Sequence, residues 1–442
     1  MEKINKIIMS SAIIAGFILL YLSLKLSALY FFVFLTGLVV YLIGKKSKES
    51  PANKKFLITL VILIFVSRFI LSLFVFHARG ANLMQDEGLY SKKSLVIAYQ
   101  MKGVEDAENQ FMEYFLDRDM RPSTYGLNGY SYILSRFYFF FGYQIQAARL
   151  INVFLNIIMF LLIFYLAREL FDSNVARISS CVFAFFPSIM FWSVAIGVDM
   201  FVLLGITACM FSLVKIMKKA GPKWILMMIV SLLMVASVRS YIAQLLFTAF
   251  LTAVFLKKFT RMRLKGKLII LITGFSLFAV LLHSPAMPFL EKKWEERMTV
   301  FLRRQKNLAQ IDDSGYYIYP PRCYREETCG PIDLARAYGR GMYYAVFSPF
   351  PWRVDSKLQL MAYPQVMVWY LMIPFILYGF YAGFKINRFE TTFIFLYSFF
   401  IFSLFALLEG NMGALFRHRD MVTPFLIIYF AGGINKLTGN RE

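Results

Sequence analysis

Long apolar blocks dominate the chain, separated by short polar connections. They lie near residues 7–25, 28–44, 56–76, 148–167, 177–195, 198–214, 224–238, 241–256, 268–283, 363–384, 391–408 and 420–434. A helix that crosses a bilayer needs about 20 such residues. The pattern therefore predicts an all-α polytopic membrane protein with about 12 transmembrane helices. Residues 125–143 are apolar and aromatic but interrupted by Gly126, Gly129, Ser131, Ser135 and Arg136. They read as interfacial or partly re-entrant helices rather than a full span. The first block lacks a small-residue cleavage site and a second block follows at once, so it reads as a retained anchor.

Composition agrees with the pattern. The 442 residues are 59% hydrophobic and 17% charged, with a mean hydropathy of +0.60. Basic residues sit in alternate connections, KKSKESPANKK (45–55), KIMKKAGPK (215–223) and KKFTRMRLKGK (257–267) among them. Lys and Arg collect on the cytoplasmic side of short loops, so both termini are expected inside. Topology then accounts for most of the net charge of +22, and no soluble basic domain remains to bind nucleic acid. Two large loops, about 77–149 and 284–362, are expected outside.

The outer face carries sparse residues of mixed sign. Asp86 and Glu87 stand side by side in LMQDEGLY (83–90), just beyond a span. Asp199, Arg239 and His283 sit at other span ends, and Arg417, His418, Arg419 and Asp420 precede the last block. Ionisable groups at the hydrocarbon edge are costly unless paired or facing a polar cavity; any single one also reads as a snorkelling charge. Carboxylates opposite arginines suit transfer of a sugar from a lipid phosphate. The acid accepts a proton from the acceptor hydroxyl, and guanidinium groups stabilise the departing phosphate. Arg303 and Arg304 in LRRQKNLAQIDDSGYYIYP (302–320) are further candidates for an acceptor anion or donor phosphate, or are solvated charges. Cys323 and Cys329 in CYREETC suit a disulfide in an oxidising exterior, and Cys181 and Cys209 read as small core residues. Asp86 and Glu87 offer oxygen ligands suited to Mg, Mn or Ca, but adjacent helical residues point about 100° apart and need not share an ion.

The stretches MQDEGLYSKKSLVIA (84–98) and AARLINVFLNIIMFLLIFYLARELFDSNVARISSCVFAFFPSIMFWS (147–193) resemble the membrane glycosyltransferases of the C fold (GT-C). The nearest group is the protein mannosyltransferase-like and aminoarabinose transferase-like one. GNMGALFRHRDMVTPFLII (410–428) resembles a segment of bacterial polysaccharide-associated members. The resemblance implies a GT-C-like helical bundle with external juxtamembrane helices, spanning 56–442, preceded by an additional two-span segment, 1–55. It implies an external pocket in a bacterial plasma membrane, a polyprenyl-phosphate-linked sugar donor, membrane lipid contacts and inversion at the anomeric carbon. It places Asp86 on the catalytic carboxylate, Glu87 on its acidic neighbour and, less closely, Asp199 on a third acidic position. Arg239, Arg303, Arg304, Arg417, Arg419, His418 and Asp199 form the expected donor-phosphate or acceptor-binding set. The small external surface favours a lipid-linked glycan or cell-envelope acceptor. Rival readings are a polymerase using polyprenyl-pyrophosphate-linked glycans, a flippase or transporter, and an assembly scaffold.

Overall fold

The computed structural model describes residues 27–79, 85–104, 129–218, 221–264, 287–310, 314–326, 328–352 and 357–439, with the isolated positions 267 and 273. The blocks at 7–25 and 268–283 and the residue His283 lie outside these, as do the side chains of His77 and Asp86.

The described residues form helices α1 (Ser27–Lys46), α2 (Pro51–Arg79), α3 (Gln85–Met101), α4 (Gly129–Phe141), α5 (Ile145–Leu170), α6 (Ser173–Phe185), α7 (Pro187–Ser193) and α8 (Asp199–Met217). There follow α9 (Lys223–Arg261), α10 (Met287–Ala309), α11 (Pro321–Glu326), α12 (Pro331–Phe347), α13 (Lys357–Ile386), α14 (Arg388–Leu408), α15 (Met412–Arg419) and α16 (Thr423–Leu437). The chain divides into two compact units, 1–166 with 180–243 and 167–179 with 244–442.

The expectation of about twelve spans is corrected. Seven described helices are long and apolar enough to cross a membrane: Ala28–Lys46, Pro51–Phe74, Ile145–Leu170, Asp199–Met217, Lys223–Arg261, Ala362–Ile386 and Arg388–Leu408. An eighth exists if α6 and α7 count as one span bent by 60° at Phe186, ahead of Pro187. The blocks 224–238 and 241–256 run on as α9, 39 residues in which two helical segments join across a kink at Arg239 (φ −136°, ψ 78°). The block 420–434 becomes α16, whose 15 residues reach about 22 Å at 1.5 Å per residue, short of a hydrocarbon core of about 30 Å. Hydropathy alone measures neither a kink nor a cap, which is why it overcounted.

In the first unit, α3 lies along α4, and α1 along α2. Helix α2 starts cleanly because Ser50 Oγ accepts from Asn53 N at 3.3 Å while Pro51 occupies the position where no N–H is needed. Helix α8 is apolar all round and almost wholly buried, as such a helix must be. Helix α9 instead exposes Leu226, Val230, Leu233, Phe247, Leu251 and Phe255, the surface of a helix facing lipid. Cys209 is buried in α8, whereas Cys181 is exposed on α6, against the expectation of a core residue.

In the second unit, α13 packs along α16. A Cβ on Gly379 would lie 1.8 Å from Tyr429 O, and one on Gly433 would lie 2.1 Å from Phe375 O. Only glycine allows this crossing, the small-residue contact typical of helices in lipid. Helix α12 packs on α14, where Gly341 meets Ala406 in the same way.

Candidate functional site

Two clusters of buried charge emerge, one in each unit. The first begins at LMQDEGLY, where α3 opens at Gln85 and places Asp86 and Glu87 in its first turn. Glu87 is 1% exposed. Its Oε1 accepts from the backbone N–H of Ile196 at 2.6 Å, and its Oε2 accepts from Arg149 Nη2 at 3.3 Å. Arg149 stands just past the first turn of α5 and is fully buried. One turn further along, Asn152 Nδ2 donates to Ala195 O at 2.5 Å and Gly197 O at 3.0 Å. The connection between α7 and α8 is thus clamped by Glu87 on one side and Asn152 on the other.

Tyr130 and Tyr138 of α4 are buried nearby, and the Tyr138 hydroxyl lies 2.7 Å from Ser91 Oγ. Burial above all, with a contribution from the Glu87 charge, pushes both phenols up, so they stay neutral. At the start of α8, Asp199 Oδ1 accepts from Arg239 Nη2 at 2.9 Å. These two predicted residues, 40 apart in sequence, meet each other at the break in α9.

The second cluster surrounds Glu409 at the end of α14. His418 Nδ1 lies 3.1 Å and Arg304 Nη2 3.7 Å from its Oε1. The His418 contact has the distance but not the alignment of a hydrogen bond. Arg303 is exposed on α10, and Arg417 is half-buried on α15. Arg419 is buried and occupied elsewhere: its Nη1 donates to Val346 O at 3.2 Å and Ser348 O at 3.0 Å, and its guanidinium stacks over Trp369. Burial pushes it down to about 10, still protonated at neutral pH. Its Nη1 secures the end of α12, while its Nη2 is buried without a hydrogen-bond partner among the described residues. Cys323 and Cys329 are joined in a disulfide.

Arg149 and the Ile196 N–H engage the two oxygens of Glu87, and the Asp86 side chain lies outside the described residues. No group of three or more metal-ligating side chains occurs among the described residues. Sequence reasoning missed Arg149, Asn152 and Glu409. The first two carried a signal: Arg149, Asn152 and Asn156 recur at helical spacing on one face of an otherwise apolar run, and all three are fully buried.

Residues 129–287, which include Tyr130, Arg149, Asp199 and Arg239, match the family model described as dolichyl-phosphate-mannose-protein mannosyltransferase. The match supports a GT-C-type, protein mannosyltransferase-like fold for this multi-pass membrane chain. Among solved structures, the chain is similar to ArnT from Cupriavidus metallidurans bound to undecaprenyl phosphate, with 12% identity and a TM-score of 0.49. That likeness covers 84% of this chain and 59% of that one, so the chain spans about three-fifths of the length of this relative. No curated protein matches the chain.

Proposed function

We propose that the protein is an inverting glycosyltransferase that moves a sugar from a polyprenyl-phosphate donor to a lipid-linked glycan or cell-envelope acceptor at the external membrane face. The observation that carries the reading is the clamp on Glu87. A buried carboxylate tied to Arg149 and to a backbone N–H fixes the first turn of α3, and with it the helix position of the adjacent Asp86. The matched family model, which is named for transfer from a polyprenyl phosphate, covers the Arg149 and Ile196 side of that clamp.

In this mechanism the acceptor hydroxyl attacks the anomeric carbon on the face opposite the phosphate. The bond from that carbon to the phosphate oxygen breaks, and its electron pair leaves with the polyprenyl phosphate. Asp86 takes the hydroxyl proton. Glu87, with both oxygens engaged, keeps the turn in place. Separately from this step, Arg303, Arg304, Arg417 and His418 of the second unit serve phosphate recognition, for which guanidinium forks are suited. Asp199 and Arg239 hold each other at the start of α8.

The test is single-turnover transfer by purified protein from a polyprenyl-phosphate sugar. Asp86→Asn keeps size and removes charge, and is expected to lower turnover by roughly 10² or more while donor binding persists, as for loss of a positioned base. Glu87→Gln is expected to act mainly on stability. Near-parental turnover by folded Asp86→Asn overturns the assignment. Consumption of a polyprenyl-pyrophosphate-linked oligosaccharide in its place points to a polymerase.

A further inference from the structure

Helix α14 ends on a carboxylate. Glu409 is its C-cap, the end at which the helix dipole is negative and an anion is disfavoured, and the residue is fully buried. Such a group is tolerated only in cationic or hydrogen-bonding company. The company comes from two other elements, His418 in the last turn of α15 and Arg304 on α10. The Tyr316 phenol, pushed up mainly by its burial and next by the Glu409 charge, marks how near that tyrosine lies.

The surroundings hold these groups rigidly. The imidazole of His418 lies flat on Phe405, with ring centroids 4.0 Å apart and planes 3° apart. Beside Arg304, Gln305 donates through Nε2 to Tyr316 O at 2.7 Å and accepts from the Tyr324 hydroxyl. Tyr316 N donates to Gly410 O at 2.7 Å, and Met412 N donates to Ser314 O at 3.0 Å. A Cβ at Gly410 would lie 2.3 Å from Gln305 O, so this turn sits directly on the helix that carries Arg304.

The uneven exposure points to a ligand. Glu409 and His418 are enclosed, whereas the Arg304 side chain is 46% exposed, and Arg303 and Lys306 are exposed on the same helix. A guanidinium anchored at its inner side to a buried carboxylate is a fork held ready for an anion at its outer side. We propose that Glu409 is the positioning residue of a phosphoryl-binding site whose contacts are Arg304 and His418. This deepens the phosphate-recognition reading given above for those two residues and rests on it. Glu409 sets their geometry without touching the ligand.

The chain has three histidines, so selective ¹⁵N-histidine labelling of the full chain in lipid nanodiscs isolates His418, with His418→Gln for assignment. The probes are inorganic phosphate, a short-chain polyprenyl monophosphate, and the corresponding polyprenol. Both phosphates are expected to move the His418 resonances, and the polyprenol is not. Saturation by the polyprenyl monophosphate at concentrations where inorganic phosphate is silent identifies a lipid source; equal response identifies free phosphate. Glu409→Gln should change the protonation signature of His418 and weaken phosphate binding about 10-fold, within the usual range for coupling between a ligand and a group that does not touch it. Glu409→Asp should restore part of both.

Arg304→Lys should weaken binding by about 10-fold with the His418 signature intact, and it decides the matter if Glu409→Gln does not fold. The proposal is overturned if neither phosphate moves the resonances, or if affinity is unchanged in folded Glu409→Gln or, failing that variant, in Arg304→Lys. Sugar transfer with no phosphate response at His418 sinks this inference and leaves the transferase reading standing. Phosphate binding without any transfer does the reverse.

Discussion

Glu87 and Glu409 are both buried carboxylates beside an arginine, yet their settings differ. Glu87 meets a fully enclosed Arg149 and spends its other oxygen on a backbone N–H. Glu409 meets an Arg304 that is almost half exposed, and an imidazole. The first arrangement is closed on itself, with its bonds directed at fixing backbone. The second is open at one edge. A buried ion pair is thus not one kind of object: what its cation faces beyond the carboxylate separates a structural clamp from a candidate binding group.

The sharpest way to break this contrast is to remove each arginine. Arg149→Met strands the Glu87 carboxylate in the interior and should cost about 3–5 kcal/mol, the usual penalty for halving a buried pair. Thermal or denaturant unfolding in detergent measures it, and a loss below about 1 kcal/mol would place Arg149 with the surface pairs instead. A middle effect is expected in the second unit from Cys323→Ser with Cys329→Ser. Opening a six-residue separation should cost about 2 kcal/mol on chain entropy, read as a lowered Tm that reductant reproduces in the parental protein. The smallest effect is expected from Arg304→Met. Solvent screens a half-exposed guanidinium, so the stability change should stay under about 1 kcal/mol even as phosphate affinity falls. A stability loss as large as that of Arg149→Met would make Arg304 a second clamp and erase the distinction.

The apolar blocks of α1, α2, α5, α8, α13 and α14 were legible because lipid-facing and fully buried helices both demand unbroken hydropathy. What linear hydropathy lacked was the means to tell a one-residue kink at Arg239 from a loop, or a 15-residue helix from a span. The acidic motif at Asp86 and Glu87 stood out because it interrupts an apolar context, and so did the basic run at 417–419. Their partners did not. Glu87 and Arg149 are 62 residues apart, and an arginine opening an apolar run looks like any interfacial charge until the fold encloses it. Arg419 stood out in the basic run, but the carbonyls its Nη1 meets lie 71 and 73 residues away and no sequence pattern links them to it.

The near-complete burial of α8, set against the exposed flank of α9, divides the two helices by what surrounds them. For α8 the solvent is other protein, fixed in composition and density. For α9 it is the bilayer, whose thickness varies from one membrane to another. The one non-helical residue of α9, Arg239, is also the residue that holds the aspartate at which α8 begins, so a single ion pair joins a helix solvated by protein to one with an exposed apolar flank.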